Sequence, residues 1–193
     1  MQQIRSAIQK KYAAVSTSAS GHFKYPVGKE GARSLGYENE FLEEMPDEML
    51  NSFCGVGNPF AIDRIEKGSF VLDIGCGAGF DLWVVSCLMG EKGRAFGVDL
   101  TFEMVAKARA NLDALRVKNV QVDLVSSERL PFADSSFSVV ISNGVINLSP
   151  DKTRLFAEIY RVLKPGGRLQ FADIILEKEL PSHLAAGVES WSQ

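Results

Sequence analysis

Apolar positions recur along this chain in two rhythms, and the change near residue 70 divides it. Close to the N-terminus Ile4, Ile8, Tyr12 and Val15 fall at helical spacing, and STSASG (16–21) stops that helix. Residues 25–60 hold three prolines and several glycines and are expected to be irregular, apart from a short helix around 38–44. A stretch of that length is uncommon in a compact domain unless it covers a site. From residue 70 short apolar runs alternate with helical patterns. FVLDIG, RAFGVDL, VQVDLVSS, SVVISNG and RLQFADIIL read as five strands. DLWVVSCLMG is the first intervening helix. The second has Thr101 as N-cap, Glu103 in its first turn and Met104, Ala108 and Leu112 on one face. The third is expected to start with Ser149 as cap and Pro150 at its first position, to bury Leu155, Ile159, Val162 and Leu163, and to stop at Lys164–Gly167. Continuous apolar strands separated by helices predict a mostly parallel sheet covered on both faces. With right-handed crossovers this is a doubly wound, Rossmann-like α/β fold whose ligand sits at the carboxyl ends of the strands. Two parts are expected: an N-terminal helix and lid segment (1–60) and a ligand-binding domain (61–193).

Composition narrows the classes. The chain has 193 residues, 46% hydrophobic and 23% charged, enough to bury a sizeable core. A net charge of −3 gives no basic footprint, so no nucleic-acid partner is expected. No apolar run is long enough to span a membrane, and MQQIRSAIQKK lacks the apolar core of a signal peptide. The expected location is cytoplasmic. Cys54, Cys76 and Cys87 fit neither a disulfide framework nor a metal-ligand spacing, so no metal site is expected. Cys76 sits in a glycine turn where a small side chain fits, Cys87 is expected in the core, and Cys54 is the cysteine expected to line a site.

The chemistry concentrates in VLDIGCGAGFD (71–81) and in Asp99, which closes the next strand. A strand, a glycine turn, a helix, and then a strand ending on an acid build a nucleoside pocket. The glycines admit the ligand to the backbone, and the acid accepts the ribose hydroxyls. Gly75, Gly77 and Gly79 give G-x-G-x-G rather than the dinucleotide spacing, and Asp73 precedes them. A pyrophosphate would be repelled there, whereas an ammonium or sulfonium would not. The alternative is a purely structural glycine turn of another α/β fold.

D-x-G-x-G-x-G resembles motif I of the class I S-adenosylmethionine methyltransferases. GNP (57–59), GFDLWVVS, GVDLTFEMVAKARAN, VISNGVINLSPDK (140–152) and RVLKPGGRLQFADI (161–174) resemble arsenite methyltransferases and their relatives over roughly residues 36–185. The LPFADSSF loop is of a type shared with ubiquinone and menaquinone methyltransferases. The resemblance implies S-adenosylmethionine as cofactor and a small-molecule methyl acceptor. It implies that the turn of Gly75, Cys76, Gly77 and Gly79 packs on the methionine part, that Asp73 orients the turn and faces the ammonium, and that Asp99 takes the ribose. Leu100 and Met104 would press on the adenine. Ser126, followed by Ser127, stands where many relatives carry an acid for the adenine amine. Asn143 would lie where sulfonium and acceptor meet. Tyr25, Tyr37, Phe53 and Cys54 are acceptor-side candidates, and Asn143, Tyr37 and Cys54 are the catalytic candidates.

The departures carry information of their own. The family places cysteines at the positions of Gly144 and Val56, and another after a C-terminal tryptophan; this sequence has two residues after Trp191. Trivalent arsenic needs several soft thiolates, so the expectation is a relative that kept the cofactor site and lost the metalloid site. No general base stands out, which suits a soft nucleophile such as a thiol, a selenium compound or a metalloid. Two other readings are a carbon or oxygen methyltransferase of quinone-like compounds and a non-catalytic module that binds the cofactor or acts in assembly. The family's sheet has two further strands beside strand five, and none is legible here. An exposed apolar edge is avoided by soluble proteins. The C-terminal helix could cover it, the chain could be a fragment, or a second copy could complete it; we expect the last, a homodimer through strand five.

Overall fold

The computed structural model describes residues 2–175. The elements are α1 (Gln2–Val15), α2 (Gly28–Ser34), α3 (Asn39–Glu44), α4 (Asp47–Leu50), β1 (Phe70–Ile74), α5 (Phe80–Met89), β2 (Arg94–Asp99), α6 (Phe102–Ala114), β3 (Val120–Leu124), β4 (Phe137–Asn143), α7 (Lys152–Val162) and β5 (Leu163–Ala172). The five strands form one parallel sheet in the order β3-β2-β1-β4-β5.

Alternation within the strands sorts the core into two layers. Val71, Ala95, Val122, Val139 and Ile141 meet Leu82, Val85 and Met89 of α5 and Val105, Ala108 and Leu112 of α6 on one face. Leu72, Ile74, Val98 and Val140 meet Leu155, Ile159 and Val162 of α7 on the other. The sheet is therefore doubly wound. After β1 the chain runs outward to β2 and β3, then returns to β4 on the opposite side of β1. Loops diverge at the carboxyl ends of β1 and β4 and open a crevice there, the usual ligand position in such sheets.

Several expectations change. The short helix expected around 38–44 is α3, but the rest of residues 25–60 is not irregular: α2, α3, α4 and a 3-10 turn at Pro59–Ala61 pack Ala32, Tyr37, Leu42, Met45, Met49, Leu50 and Phe53 against Phe80 and Val84. Helices of four to seven residues are too short to display a full apolar period. Pro46 and Pro59 mark helix N-termini rather than breaks. The cap of α7 is Asp151, whose Oδ1 accepts from Arg154 N at 3.0 Å; Ser149 instead ends the preceding 3-10 turn. Lys164–Gly167 do not separate α7 from β5. They bulge within the strand, so that Phe137 pairs with Leu163 but Val139 with Arg168. Cys87 is half-exposed on α5 rather than in the core. β5 is an edge strand among the described residues, and the expected C-terminal helix lies outside them.

Candidate functional site

The glycine turn is pinned before any ligand arrives. The N–H groups of Gly75 and Cys76 both donate to Val98 O, at 2.8 and 3.1 Å, and Asn111 Nδ2 on α6 donates to Ala78 O at 3.0 Å. Gly75 adopts φ +76°, and a Cβ there would collide with Val145. Gly77, at φ +51°, differs: the nearest atom to a Cβ would be the Met104 sulfur at 4.0 Å, so its backbone borders open space. Gly79 serves helix packing, because a Cβ would press on Ala108 of α6 at 3.4 Å.

Around this turn lies a cleft of about 1140 Å³, its open mouth included. Its floor comes from Ile74, Gly75, Cys76 and Gly77 after β1, Val98–Thr101 after β2, and Asn143–Val145 after β4. Met104, Leu100, Ser127, Glu128, Leu148 and Ser149 form further walls, and Ser52, Phe53, Cys54 and Gly55 close one side. Ile8 and Tyr12 of α1 complete the cleft. This helix is fastened across it: Arg5 pairs with the buried Glu128, Gln9 Nε2 donates to Leu100 O at 2.9 Å, and Lys107 Nζ donates to Ser16 O at 2.6 Å. Glu128 is in turn held by Ser149 Oγ at 3.0 Å.

The expected residues fall into distinct places. Asp99 is at the cleft, with Oδ2 accepting from Gly77 N at 3.0 Å and Oδ1 from Thr101 N at 2.8 Å. Burial raises its pKa, against the pull of those donors. Thr101 stands at the N-cap of α6, yet its side chain makes no capping bond. Leu100, Met104, Cys76, Ser127 and Asn143 line the cleft; Ser126, Asp73, Gly79 and Tyr37 do not. Asp73 lies behind the wall, fully enclosed, one carboxylate oxygen without a partner. Burial first, then Asp81 and Asp99, push its pKa well above the ordinary carboxylate value. Asn143 has no free amide to offer a substrate. Its Oδ1 accepts from Val56 N (2.8 Å) and Gly57 N (3.2 Å), and its Nδ2 donates to Gly57 O (2.9 Å), Tyr37 Oη (3.1 Å) and Asp81 Oδ2 (3.2 Å). It clamps residues 56–57 onto the end of β4. Tyr37 is packed edge-on against Phe53, Phe60 and Phe80 and donates to Asp81 Oδ1 at 2.7 Å. Tyr25 donates to Cys54 O at 3.0 Å. The Cys54 thiol is pushed up to about 12 by burial and by Asp99, Lys11 opposing.

Asp81, Tyr12 and the Arg5–Glu128 pair escape the sequence reading. The apolar stripe of α1 demanded a partner, a signal that was available. Nothing local announced Asp81, whose partners lie 44 and 62 residues away.

A methyltransferase-domain family profile matches residues 65–193. The chain is 34% identical to the arsenite methyltransferase of Halobacterium salinarum, over 98% of this chain and 52% of that protein. It is 38% identical to the ubiquinone/menaquinone biosynthesis C-methyltransferase UbiE of Klebsiella pneumoniae, over 61% of this chain and 49% of that one. The crystal structure of an arsenic(III) S-adenosylmethionine methyltransferase from Chlamydomonas reinhardtii superposes with a TM-score of 0.63 at 36% identity, covering 82% of this chain and 53% of that one. The chain thus spans about half the length of the curated relatives it matches.

Proposed function

The chain belongs to the S-adenosylmethionine-dependent methyltransferases, and from that membership we propose that it methylates a small soft nucleophile, a thiol or selenium compound ahead of a free metalloid. The residues at the cleft fit the cofactor. Gly77 offers unobstructed backbone, Leu100 and Met104 offer an apolar slot, and Asp99 places its carboxylate in the cleft wall at the end of β2. When bound, the cofactor supplies a methyl group already activated for in-line displacement. The chain then has to position and to exclude water. The fastening of α1 and the Asn143 clamp on residues 56–57 serve both ends.

The observation that carries the acceptor class is the wall beside Asn143. Val56 and Gly144, the positions at which the resemblance places two cysteines, touch each other: a Cβ on Gly144 would lie 3.4 Å from both Val56 methyls. Cys54 is the remaining thiol on that side, and burial keeps it protonated. A lone neutral thiol is a poor ligand for trivalent arsenic. An acceptor that brings its own sulfur or selenium needs neither a thiolate cage nor a strong base.

Calorimetric titration with S-adenosylmethionine, beside Asp99→Ala, tests the cofactor site. Loss of about 1–3 kcal/mol, roughly five- to 150-fold in Kd, is expected for the variant. A screen of thiols, selenite and arsenite then tests the acceptor; turnover of arsenite alone would overturn the preference. A quinone-like acceptor is the second reading, favoured by the UbiE similarity and by Phe53, Phe80, Val145 and Leu148 in the wall. For the β5 edge we keep self-association as the proposal, and a monomer in light scattering at micromolar concentration would overturn it.

A further inference from the structure

We propose that Asp81 is the counter-ion for the positively charged end of the cofactor, and that it makes the site select its ligand by charge. The proposal rests on the cofactor reading above. Asp81 lies in the first turn of α5, is 7% exposed, and forms part of the cleft wall. Its two oxygens each accept one hydrogen bond, from Tyr37 Oη at 2.7 Å and Asn143 Nδ2 at 3.2 Å. A carboxylate offers about four acceptor positions, so roughly half remain for the cleft. None of the ion pairs formed among the described residues includes Asp81, Asp73 or Asp99. The orphaned oxygen of Asp73 is a second sign that the carboxyls behind the same turn lack a cationic partner. Buried carboxylates without a cation are unfavourable, and a cation delivered by a ligand relieves them.

The three adenosyl ligands differ in the relevant charge. S-Adenosylmethionine carries a sulfonium and an ammonium. S-Adenosylhomocysteine, left after transfer, has lost the sulfonium charge. Methylthioadenosine, a thioether nucleoside without the amino-acid end, carries neither. Charge selection therefore ranks them in that order and loosens the product relative to the cofactor. It also makes cofactor affinity depend on pH. Burial raises the Asp81 carboxyl to about 6 in the absence of ligand, while the Tyr37 and Asn143 bonds pull it down. The other titratable groups around it are Tyr37 on the covering segment, Asp73 on β1, Asp99 closing β2 and Cys76 in the turn. Burial raises all four, so Tyr37 and Cys76 stay protonated.

The test is calorimetry of the three ligands with the full chain, its Asp81→Asn variant and its Asp73→Asn variant, from pH 7.5 to 5. Asparagine at 81 can keep the network, its oxygen accepting from Asn143 and its amide donating to Tyr37, whose hydroxyl already lies 3.3 Å from Gly57 O. A thermal melt confirms folding. Asp81→Asn should weaken S-adenosylmethionine at least about tenfold, as for loss of a charged hydrogen bond, and change methylthioadenosine less than about twofold. Wild-type affinity for S-adenosylmethionine should drop about tenfold from pH 7.5 to 5 through proton linkage. That drop should persist in Asp73→Asn and vanish in Asp81→Asn. Equal weakening of all three ligands, an unchanged S-adenosylmethionine affinity, or a pH drop that survives Asp81→Asn would overturn the counter-ion while leaving the cofactor site standing. A folded wild type that binds none of the three would instead remove the cofactor reading, and this one with it.

Discussion

Three glycines in one turn have three different duties, and substitution should separate them. Gly75 is walled in by Val145 and held at φ +76°. Gly75→Ala should cost about 2–5 kcal/mol in denaturant unfolding, from the left-handed backbone plus overpacking. Gly77 borders space, so Gly77→Ala should cost only the backbone term, about 1–2 kcal/mol, while its methyl intrudes on the ligand. A variant that stays folded, destabilised by that backbone term alone, yet binds S-adenosylmethionine at least about tenfold more weakly is the expected outcome at Gly77, the loss in binding corresponding to about 1.4 kcal/mol. Unchanged affinity would place the ligand elsewhere. The sequence could announce the turn, because D-x-G-x-G-x-G is local, but not this division of labour. Which glycine meets a ligand and which meets Val145 or Ala108 depends on chain returning from up to 70 residues away.

At the scale of elements, α1 acts as the roof of the cleft through one buried ion pair. The side chain of Arg5 is 23% exposed and that of Glu128 only 6%. Arg5→Met leaves a buried carboxylate with Ser149 as its remaining side-chain partner, and should cost on the order of 2 kcal/mol. Adding Glu128→Gln should recover much of that, since the stranded charge rather than the lost attraction dominates. Hydrogen exchange of the α1 amides is the readout; equal protection in the single and double variants would refute the argument. Elements with a long period or a continuous apolar run were legible: α1, α5, α6, the buried stripe of α7 and all five strands. Those set by tertiary demand were not. α2 and α4 are too short to show a period. Ser149 looked like a cap, but its hydroxyl is recruited by Glu128 and Asp151 takes the duty. The KPGG bulge lets α7 run straight into β5, which a stop signal between helix and strand did not suggest.

For the whole molecule, the carboxylates behind the turn should make stability and ligand binding respond to pH together. A carboxyl raised by folding stabilises the native state fully below its unfolded pKa and loses that contribution as pH rises through the folded value. For Asp81 the loss spans about pH 4 to about 6, with Asp73 and Asp99 shifted in the same direction. Glu158 works oppositely: its hydrogen bonds from Arg161 hold it at about 2, so its contribution is present above the ordinary glutamate range and lost towards strong acid. The ligand-free protein should therefore lose thermal stability as the pH rises from about 4 to about 6, and Asp81→Asn should flatten that slope; a slope unaffected by the variant would acquit Asp81. Chain order adds something further. The roof at residues 2–15 leaves the ribosome ahead of the cleft it covers, and the residue that fastens it, Glu128, follows Arg5 by 123 positions. At about 5–20 residues per second, Ile4, Ile8, Tyr12 and Val15 wait roughly 6–25 s for the surface they cover. During synthesis the stripe that will seal the cleft therefore exists before the surface it will pack on.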